Sequence, residues 1–138
     1  MNRLDALLAW YGTLEERSLA RIGEFYHPQA RFDDPFNSVV GLDGIGRVFA
    51  HMFRATETPR FTIAEHLADA DRAFVTWDFD FGIDGRRYRV HGVTRLRFDA
   101  GGLVTEHRDY WDAAGELWVK LPLIGGPVRW LRRRFRAT

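Results

Sequence analysis

The hydrophobic pattern of this 138-residue chain changes its period near Pro59, and this change limits the possible folds more than any other feature. Before Pro59, apolar residues recur at three- and four-residue spacing, which is typical of amphipathic helices. After Pro59, apolar and polar residues alternate with the two-residue period of a pleated strand. Helices followed by a run of strands predict an α+β domain, in which the helices cover one face of an antiparallel sheet.

Three helices and one short strand are predicted in the first half of the chain. Asn2, Ser18 and Asp43 are the expected N-caps of these helices, because their side chains accept hydrogen bonds from the first helical turn. The short strand is expected over residues 30–34, between the second and third helices. The third helix carries an apolar side that suits packing on a sheet.

Four strands are predicted in the second half. The first is expected to place one row of side chains on a single face: Phe61, Ile63, Glu65 and Leu67. The second strand presents a longer apolar row: Ala73, Val75, Trp77, Phe79 and Phe81. The dipeptide at 84–85 is Asp-Gly, a strong signal for a two-residue hairpin into a third strand over 86–98. A turn at 99–102 then leads to the last strand, over 106–112.

The last strand carries ionisable and aromatic side chains on both of its faces. Alternation places one set on the first face, Thr105, His107, Asp109 and Trp111, and the other set on the second face, Glu106, Arg108, Tyr110 and Asp112. Whichever face is buried, it encloses ionisable groups beside an aromatic ring. Burying ionisable groups costs free energy unless they are paired or take part in chemistry. We therefore expect this strand to line a functional pocket.

Composition narrows the class of protein. Hydrophobic residues make up 46% of the chain and charged residues 28%, values that fit a soluble globular domain. The absence of cysteine excludes disulfides, thiolate catalysis and cysteine-ligated metal. The five histidines are scattered, so we predict neither a metal nor a cofactor. Without a recognisable signal peptide or membrane span, a cytoplasmic location is expected.

Positive charge is concentrated at the C-terminus. Five arginines and no acidic residue lie in the last ten positions: Arg129, Arg132, Arg133, Arg134 and Arg136. The net charge is +1, so the chain without these arginines carries −4, which argues against nucleic-acid binding by the body. We divide the chain into a domain over 1–126 and a basic helical tail over 127–138. We expect the tail to dock on the body or on a partner subunit rather than on a membrane.

Three motifs in sequence order resemble those of the NTF2-like superfamily. The first motif, Phe25-Tyr26-His27-Pro28 followed by Phe32-Asp33-Asp34-Pro35 and Gly41, is similar to the helix–strand–turn of ketosteroid isomerases and SnoaL-like proteins. Residues 98–104 are similar to the turn before their last strand. Residues 108–112, followed by Leu121-Pro122, resemble the C-terminal strand and tail of limonene-1,2-epoxide hydrolases. The resemblance implies a cone-shaped, curved antiparallel sheet wrapped around three N-terminal helices. It also implies a homodimer.

The resemblance assigns chemical roles to individual side chains. The general base of ketosteroid isomerases corresponds to Asp34, and the oxyanion donor of their first helix to Tyr11. The aspartate that activates water in the epoxide hydrolases corresponds to Asp109. The resemblance therefore implies that the face with His107, Asp109 and Trp111 is the inner one. Thr94 stands where ketosteroid isomerases carry a second oxyanion donor. His107 is a further candidate, since histidine exchanges protons near neutral pH.

These roles predict cofactor-independent acid–base catalysis of the isomerase, cyclase or epoxide-hydrolase kind on a small hydrophobic substrate. Five residues are expected to line the pocket: Phe32, Trp77, Phe79, Thr94 and Trp111. The alternative is a non-catalytic ligand-binding or dimerisation module. In that case Asp34 caps the turn after Pro35, and His107 and Asp109 form a structural pair.

Overall fold

The computed structural model describes residues 2–116 and 125–135. The elements, in chain order, are α1 (Arg3–Gly12), a 3₁₀ helix (Glu16–Glu24), β1 (Tyr26–Asp33), β2 (Ser38–Val40), α2 (Leu42–Ala55), β3 (Glu57–Asp69), β4 (Arg72–Ile83), β5 (Arg86–Phe98), β6 (Val104–Tyr110), α3 (Ala113–Glu116) and α4 (Gly125–Phe135). The α+β class predicted from the change of period is confirmed.

The six strands form one curved, open sheet in the order β2-β1-β6-β5-β4-β3. Neighbouring strands are antiparallel except β1 and β6, which run parallel. This parallel pair joins the helical half of the chain to the meander that follows it. It also sets Phe32 of β1 beside His107 of β6, so the two halves meet at the predicted site. The predicted NTF2-like fold is confirmed, with this one parallel pair.

The helix caps agree with the sequence in part. Asn2 caps α1 by accepting a backbone N–H of the first turn at 2.8 Å. The second helix is a 3₁₀ helix whose N-cap is Glu15, and Ser18 forms the other half of its capping box. The prediction that Asp43 caps α2 was wrong, because α2 begins earlier, after Gly41. Gly41 has a φ of 94°, a left-handed conformation that glycine adopts without strain and that turns the chain into α2.

An extra residue in β3 reverses the predicted strand face. The pairing of β3 with β4 shifts between Ile63 and Glu65, which leaves Ala64 as a β-bulge. Beyond the bulge, Leu67 points away from the core and is 79% exposed. The prediction that Glu65 and Leu67 share a face with Ile63 was therefore wrong, since a bulge moves the two-residue period by one position.

A similar irregularity occurs at the start of β6. The pairing of β5 with β6 shifts between Arg97 and Phe98 and leaves Thr105 as the extra residue. The Thr105 hydroxyl donates to the carbonyl of Arg97 at 3.3 Å, whereas Val104 is fully buried. Val104 rather than Thr105 therefore continues the inner row below His107, which corrects the predicted face at that position.

The long β4–β5 hairpin follows the sequence closely. Its turn has positive φ at both central residues, 51° at Asp84 and 79° at Gly85, as expected of a type I′ turn. The helices cover one half of the inner sheet face, with Leu7 and Ile45 in that core. A second apolar cluster, formed by Trp77, Phe81, Tyr88 and Val90, lies on β4 and β5.

The C-terminal tail is described in part. Helix α4 starts at Gly125, two residues before the predicted tail, and the division into domain and tail stays a prediction. Leu121-Pro122 of the third motif lies outside the described residues. Within 2–116 and 125–135, no helix is both long enough and apolar enough to cross a bilayer.

Candidate functional site

The candidate site forms where β6 meets its neighbours on the inner sheet face. His107 lies in register with Phe32 of β1 and Leu96 of β5, and Asp109 lies in register with Thr94 of β5. Because His107 and Asp109 are two residues apart on one strand, their side chains point to the same side. His107 and Thr94 are the two buried polar residues of the described core.

A chain of hydrogen bonds connects α1 to β6 through β1. The Tyr11 and Tyr26 hydroxyls are 2.5 Å apart, and Tyr26 Oη lies 2.8 Å from His107 Nδ1. The other ring nitrogen, Nε2, lies 2.8 Å from Oδ1 of Asp109. Side chains distant in sequence thus form one continuous polar path, although most of their surroundings are apolar.

The path continues from Asp109 to β4. The Thr94 hydroxyl donates to the same carboxylate oxygen, Oδ1, at 2.5 Å. Thr94 in turn accepts a hydrogen bond from the indole N–H of Trp77 at 2.7 Å. Asp109 therefore has two hydrogen-bond partners at Oδ1, whereas Oδ2 has no partner among the described residues.

Gly92 permits the position of Trp77. The two residues are direct partners across β4 and β5, and the indole lies over the glycine. A Cβ atom at Gly92 would be 2.5 Å from two indole carbons, closer than side-chain atoms pack. The Trp77–Thr94 hydrogen bond therefore depends on glycine at position 92. Because Thr94 also donates to Asp109, Gly92 indirectly supports one of the two bonds that orient Asp109.

Burial sets the protonation of the two tyrosines. Desolvation is the main cause that raises the pKa of Tyr11 far above its usual value, and the nearby Asp109 charge adds to it. The pKa of Tyr26 is raised well above its usual value, again mainly by burial. Both hydroxyls therefore keep their protons near neutral pH and serve as hydrogen-bond donors.

A small cavity adjoins this polar path. Its volume is about 30 Å³, and most of its wall is apolar; it is lined by Tyr11, Phe49, Phe61, Ile63, Trp77, Thr94, His107 and Asp109. This volume exceeds the space that one water molecule needs and is far below that of a ligand pocket. In this conformation the cavity can hold water beside Asp109.

Asp109 also borders a much larger groove. The groove has a volume of about 610 Å³ and is lined by Asp33, Asp34, Pro35, Asn37, Ser38, Arg108, Asp109, Tyr110, Trp111 and Asp112. Here Oδ1 of Asp34 accepts the backbone N–H groups of Phe36 at 2.8 Å and Asn37 at 2.6 Å. The Asp34 carboxylate thus holds the turn after β1 while it faces the same groove as Asp109.

The predicted site residues fall into three groups. The cavity wall brings together five of them: Tyr11, Trp77, Thr94, His107 and Asp109. Asp34 and Trp111 line the groove. Phe32 and Phe79 do not line the cavity but pack against residues that do. Phe32 contacts the His107 ring and Phe79 stacks on Phe61, each with a ring-centroid distance of 4.5 Å.

Sequence reasoning missed Tyr26. The proline at 28 predicts that the second helix ends at His27-Pro28, whereas β1 already begins at Tyr26 and turns its side chain into the core. Tyr26 is fully buried, and its hydroxyl is the nearest partner of His107 Nδ1. The available signal was its place within the Phe25-Tyr26-His27-Pro28 motif, which the family resemblance already sets beside the pocket strand.

Metal-ligating side chains do not converge in the described part of the chain. Across 2–116 and 125–135, no group of three histidine, aspartate or glutamate side chains is arranged to hold a metal ion. The polar path pairs one histidine with one carboxylate, and its other members are neutral donors. The arrangement can orient a carboxylate and supply hydroxyl donors beside it.

The curved sheet, its covering helices and the enclosed polar path define an NTF2-like domain. Residues 7–107 match the sequence model of the SnoaL-like domain. Since this match spans most of the chain, the protein belongs to the SnoaL-like family. Among curated proteins, none is similar enough in sequence to be matched.

Solved structures with the same fold are numerous. TerC co-crystallised with polyporic acid is 20% identical with a TM-score of 0.72, over 82% of this chain and 93% of TerC. An NTF2-like protein of unknown function from Burkholderia pseudomallei is 18% identical with a TM-score of 0.73, over 83% and 94% of the two chains. A ketosteroid isomerase-like protein from Catenulispora acidiphila in complex with trimethylamine is 19% identical with a TM-score of 0.70, over 84% and 89%. At these identities the likeness establishes the fold.

Proposed function

We propose that this SnoaL-like protein is a cofactor-independent acid–base enzyme that acts on a small, largely apolar substrate, with Asp109 as its base. The observation that carries this proposal is the asymmetric bonding of the Asp109 carboxylate. His107 and Thr94 hold Oδ1, while Oδ2 has no partner among the described residues. A carboxylate fixed at one oxygen presents the other in a defined direction, which favours proton transfer.

The groove and the cavity beside Asp109 suggest where the substrate and a water molecule each bind. The groove of about 610 Å³ has the size of a ligand site, whereas the cavity of about 30 Å³ suits one water. We place the body of the substrate in the groove, against Trp111. This arrangement favours the hydrolase type of reaction, in which Asp109 takes a proton from a water as that water attacks the substrate.

Abstraction of a C–H proton beside a carbonyl, the isomerase or cyclase type, requires more room at Asp109. Phe61 and Trp77 would have to move for a substrate to enter the cavity, since both belong to its wall. Tyr11 is the candidate donor to the oxygen that becomes negative. Its hydroxyl can turn from Tyr26 to the substrate, while Tyr26 keeps its bond to His107.

Known ligands of similar structures support a small organic substrate. One neighbour was co-crystallised with polyporic acid and another is in complex with trimethylamine. These ligands belong to those proteins, and they indicate that the fold accommodates small molecules of different chemistry. We infer that this chain also binds a small molecule, with Asp109 and Trp111 as contacts.

Asp34 stays a candidate for the base. Its carboxylate lines the groove together with Asp109, as its predicted role requires. However, its Oδ1 accepts two backbone N–H groups of the following turn, and the Asn37 side chain lies 3.2 Å from each carboxylate oxygen. These bonds favour a role in holding the turn, so we assign the proton transfer to Asp109 first.

A non-catalytic binding module is the second candidate, and one observation favours it. The polar path is satisfied within the protein, since both His107 nitrogens and both tyrosine hydroxyls have partners. A buried network of this kind also forms where it only stabilises a fold. On this view the groove binds a ligand and Asp109 moves no proton.

Substitution of Asp109 separates the two candidates. With ketosteroid, epoxide and polyketide-like compounds as trial substrates, we expect Asp109→Asn to lower kcat/KM at least about 100-fold, because the amide cannot accept the proton. Asp34→Asn tests the competing base in the same assay. Asp78→Asn is the matched control, since Asp78 also lies 2.8 Å from a histidine, on the outer sheet face.

Four possible results decide the assignment. A loss confined to Asp109→Asn supports the proposal, and a loss confined to Asp34→Asn moves the base to Asp34. Turnover by the wild-type protein that neither substitution changes overturns acid–base catalysis by these carboxylates. If no compound is turned over but one binds in the groove, as seen by crystallography, the binding module is the better description.

A further inference from the structure

We infer that Tyr26 is a positioning residue that commits His107 to one neutral tautomer, with its proton on Nε2, so that Asp109 alone is the anionic base. The catalytic part of this inference rests on the proposed function. The tautomer itself can be measured without any substrate. The two parts therefore fail separately.

The geometry identifies Tyr26 as the group that controls Nδ1. Tyr26 is fully buried and its hydroxyl lies 2.8 Å from Nδ1, whereas the Tyr11 hydroxyl is 3.3 Å away. The Nδ1 lone pair of a neutral imidazole accepts one well-aligned hydrogen bond. The shorter distance gives that bond to Tyr26, and Tyr11 then donates to the Tyr26 oxygen, 2.5 Å away.

In this arrangement every hydrogen of the path has an acceptor. Tyr11 donates to Tyr26, and Tyr26 donates to Nδ1 of His107. The proton on Nε2 is donated to Asp109 Oδ1, which also accepts the hydroxyl of Thr94. No other protonation state of His107 satisfies all these groups, as the two alternatives demonstrate.

The first alternative places the proton on Nδ1 and leaves Nε2 without one. Two lone pairs, those of Nε2 and of Asp109 Oδ1, would then face each other across 2.8 Å. The second alternative is the imidazolium, in which Nδ1–H must donate to a tyrosine oxygen. One of the two buried hydroxyl hydrogens, on Tyr11 or Tyr26, then has no acceptor among the described residues, which is unfavourable for a buried group.

The chemical consequence concerns the destination of the substrate proton. With Nε2 already protonated and Nδ1 occupied by Tyr26, His107 does not take it. The C–H or water O–H bond breaks, a new O–H bond forms at Oδ2 of Asp109, and the electron pair stays on the carbon or oxygen. Asp109 later returns this proton to the product. His107 keeps the same proton throughout and fixes the direction of the carboxylate.

Nitrogen NMR tests the tautomer directly. The intact protein is labelled with ¹⁵N-histidine, and His107 is identified among the five histidines by its loss in His107→Gln. In the wild-type protein at pH 7 we expect Nε2 to be protonated and Nδ1 to be a hydrogen-bonded imine nitrogen. A protonated Nδ1 in the wild-type protein overturns the inference.

Two tyrosine variants test which hydroxyl is responsible. In Tyr26→Phe the Nδ1 signal should move toward the value of an imine nitrogen without a strong hydrogen bond. Tyr11→Phe is the matched control, because it removes an equal hydroxyl from the same path and leaves the Tyr26 bond in place. If Nδ1 responds equally to both variants, or only to Tyr11→Phe, Tyr26 does not have the assigned role.

Kinetics separate this inference from the proposed function. On a substrate that the protein turns over, Tyr26→Phe should lower kcat about tenfold, with KM unchanged, because a mispositioned base slows the chemical step and not binding. An unchanged kcat, or a change in KM alone, removes Tyr26 from catalysis. If Asp109→Asn is fully active while the wild-type tautomer is as expected, the proposed function fails and the tautomer assignment stands.

Discussion

Two histidine–aspartate pairs in this sheet have the same hydrogen-bond length and opposite surroundings. His107 Nε2 and Asp109 Oδ1 are 2.8 Å apart, as are His91 Nδ1 and Asp78 Oδ1. The side chains of the first pair are 5% and 17% exposed, and those of the second are 57% and 30% exposed. Identical residue types at an identical distance therefore do not by themselves make a site.

The difference arises from where each pair lies in the sheet. His91 and Asp78 are opposite each other on β5 and β4, on the outer face. His107 and Asp109 share β6, which has β1 on one side and β5 on the other. Tyr26 can therefore reach the histidine from β1, and Thr94 the carboxylate from β5. The additional donors, together with the deeper burial of the pair, give it one fixed geometry.

The largest expected contrast is in stability. We expect His107→Ala to lower the free energy of unfolding by about 3 kcal/mol, because it opens a cavity and leaves the Tyr26 hydroxyl without its acceptor. His91→Ala, the matched change in the exposed pair, should cost about 0–1 kcal/mol. Urea denaturation of both variants measures the two losses. Equal losses would contradict the difference between the buried and the exposed pair.

A smaller effect is expected from the support of the inner pair on β4. Gly92→Ala places a Cβ 2.5 Å from the Trp77 indole, so we expect a loss of about 1–3 kcal/mol and a weaker Trp77–Thr94 bond. Gly46→Ala is the control, since a Cβ there meets no atom within 4 Å and alanine favours the helix interior by up to about 1 kcal/mol. Denaturation and tryptophan fluorescence report both changes. A Gly92→Ala protein as stable as the wild type, with unchanged fluorescence, would refute this dependence.

The last effect is absent near neutral pH and appears only at alkaline pH. Burial raises the pKa values of Tyr11 and Tyr26 above the usual value of 10.0, so the unfolded chain loses these protons first. The two tyrosines therefore do not change the free energy of unfolding below about pH 10. Above it, each tyrosine lowers that free energy by about 1.4 kcal/mol per pH unit. Tyr11→Phe and Tyr26→Phe should each remove one share of this slope, whereas Tyr110→Phe, at a side chain 48% exposed, should leave it as in the wild type. An unchanged slope in both inner variants would contradict the burial of these hydroxyls.

Local sequence patterns predicted the parts of the site that lie within single strands. Two-residue alternation was enough to place His107 and Asp109 on one face, and to give β4 its apolar row with Trp77. The Asp84-Gly85 turn was equally predictable, because its backbone conformation depends on two adjacent residues. These features depend on neighbouring residues, so they can be predicted without the tertiary structure.

Alternation failed where strands had to fit one another. The bulges at Ala64 and Thr105 adjust the pairing of neighbouring strands, and no local pattern marks them. They exposed Leu67 and buried Val104, against the predicted faces. A bulge is a property of two strands together, so one strand's sequence does not reveal it.

The chain by itself determined an α+β domain, a long hairpin and a last strand with a histidine and an aspartate on one side, because periodicity is a property of neighbouring residues. Only the tertiary structure decided that this strand lies between β1 and β5, and so which donors it meets. Tyr26 and Thr94 are 81 and 15 residues away from their partners His107 and Asp109. Hydrogen bonds between such distant residues follow from strand order and register, which the packing of the whole domain sets.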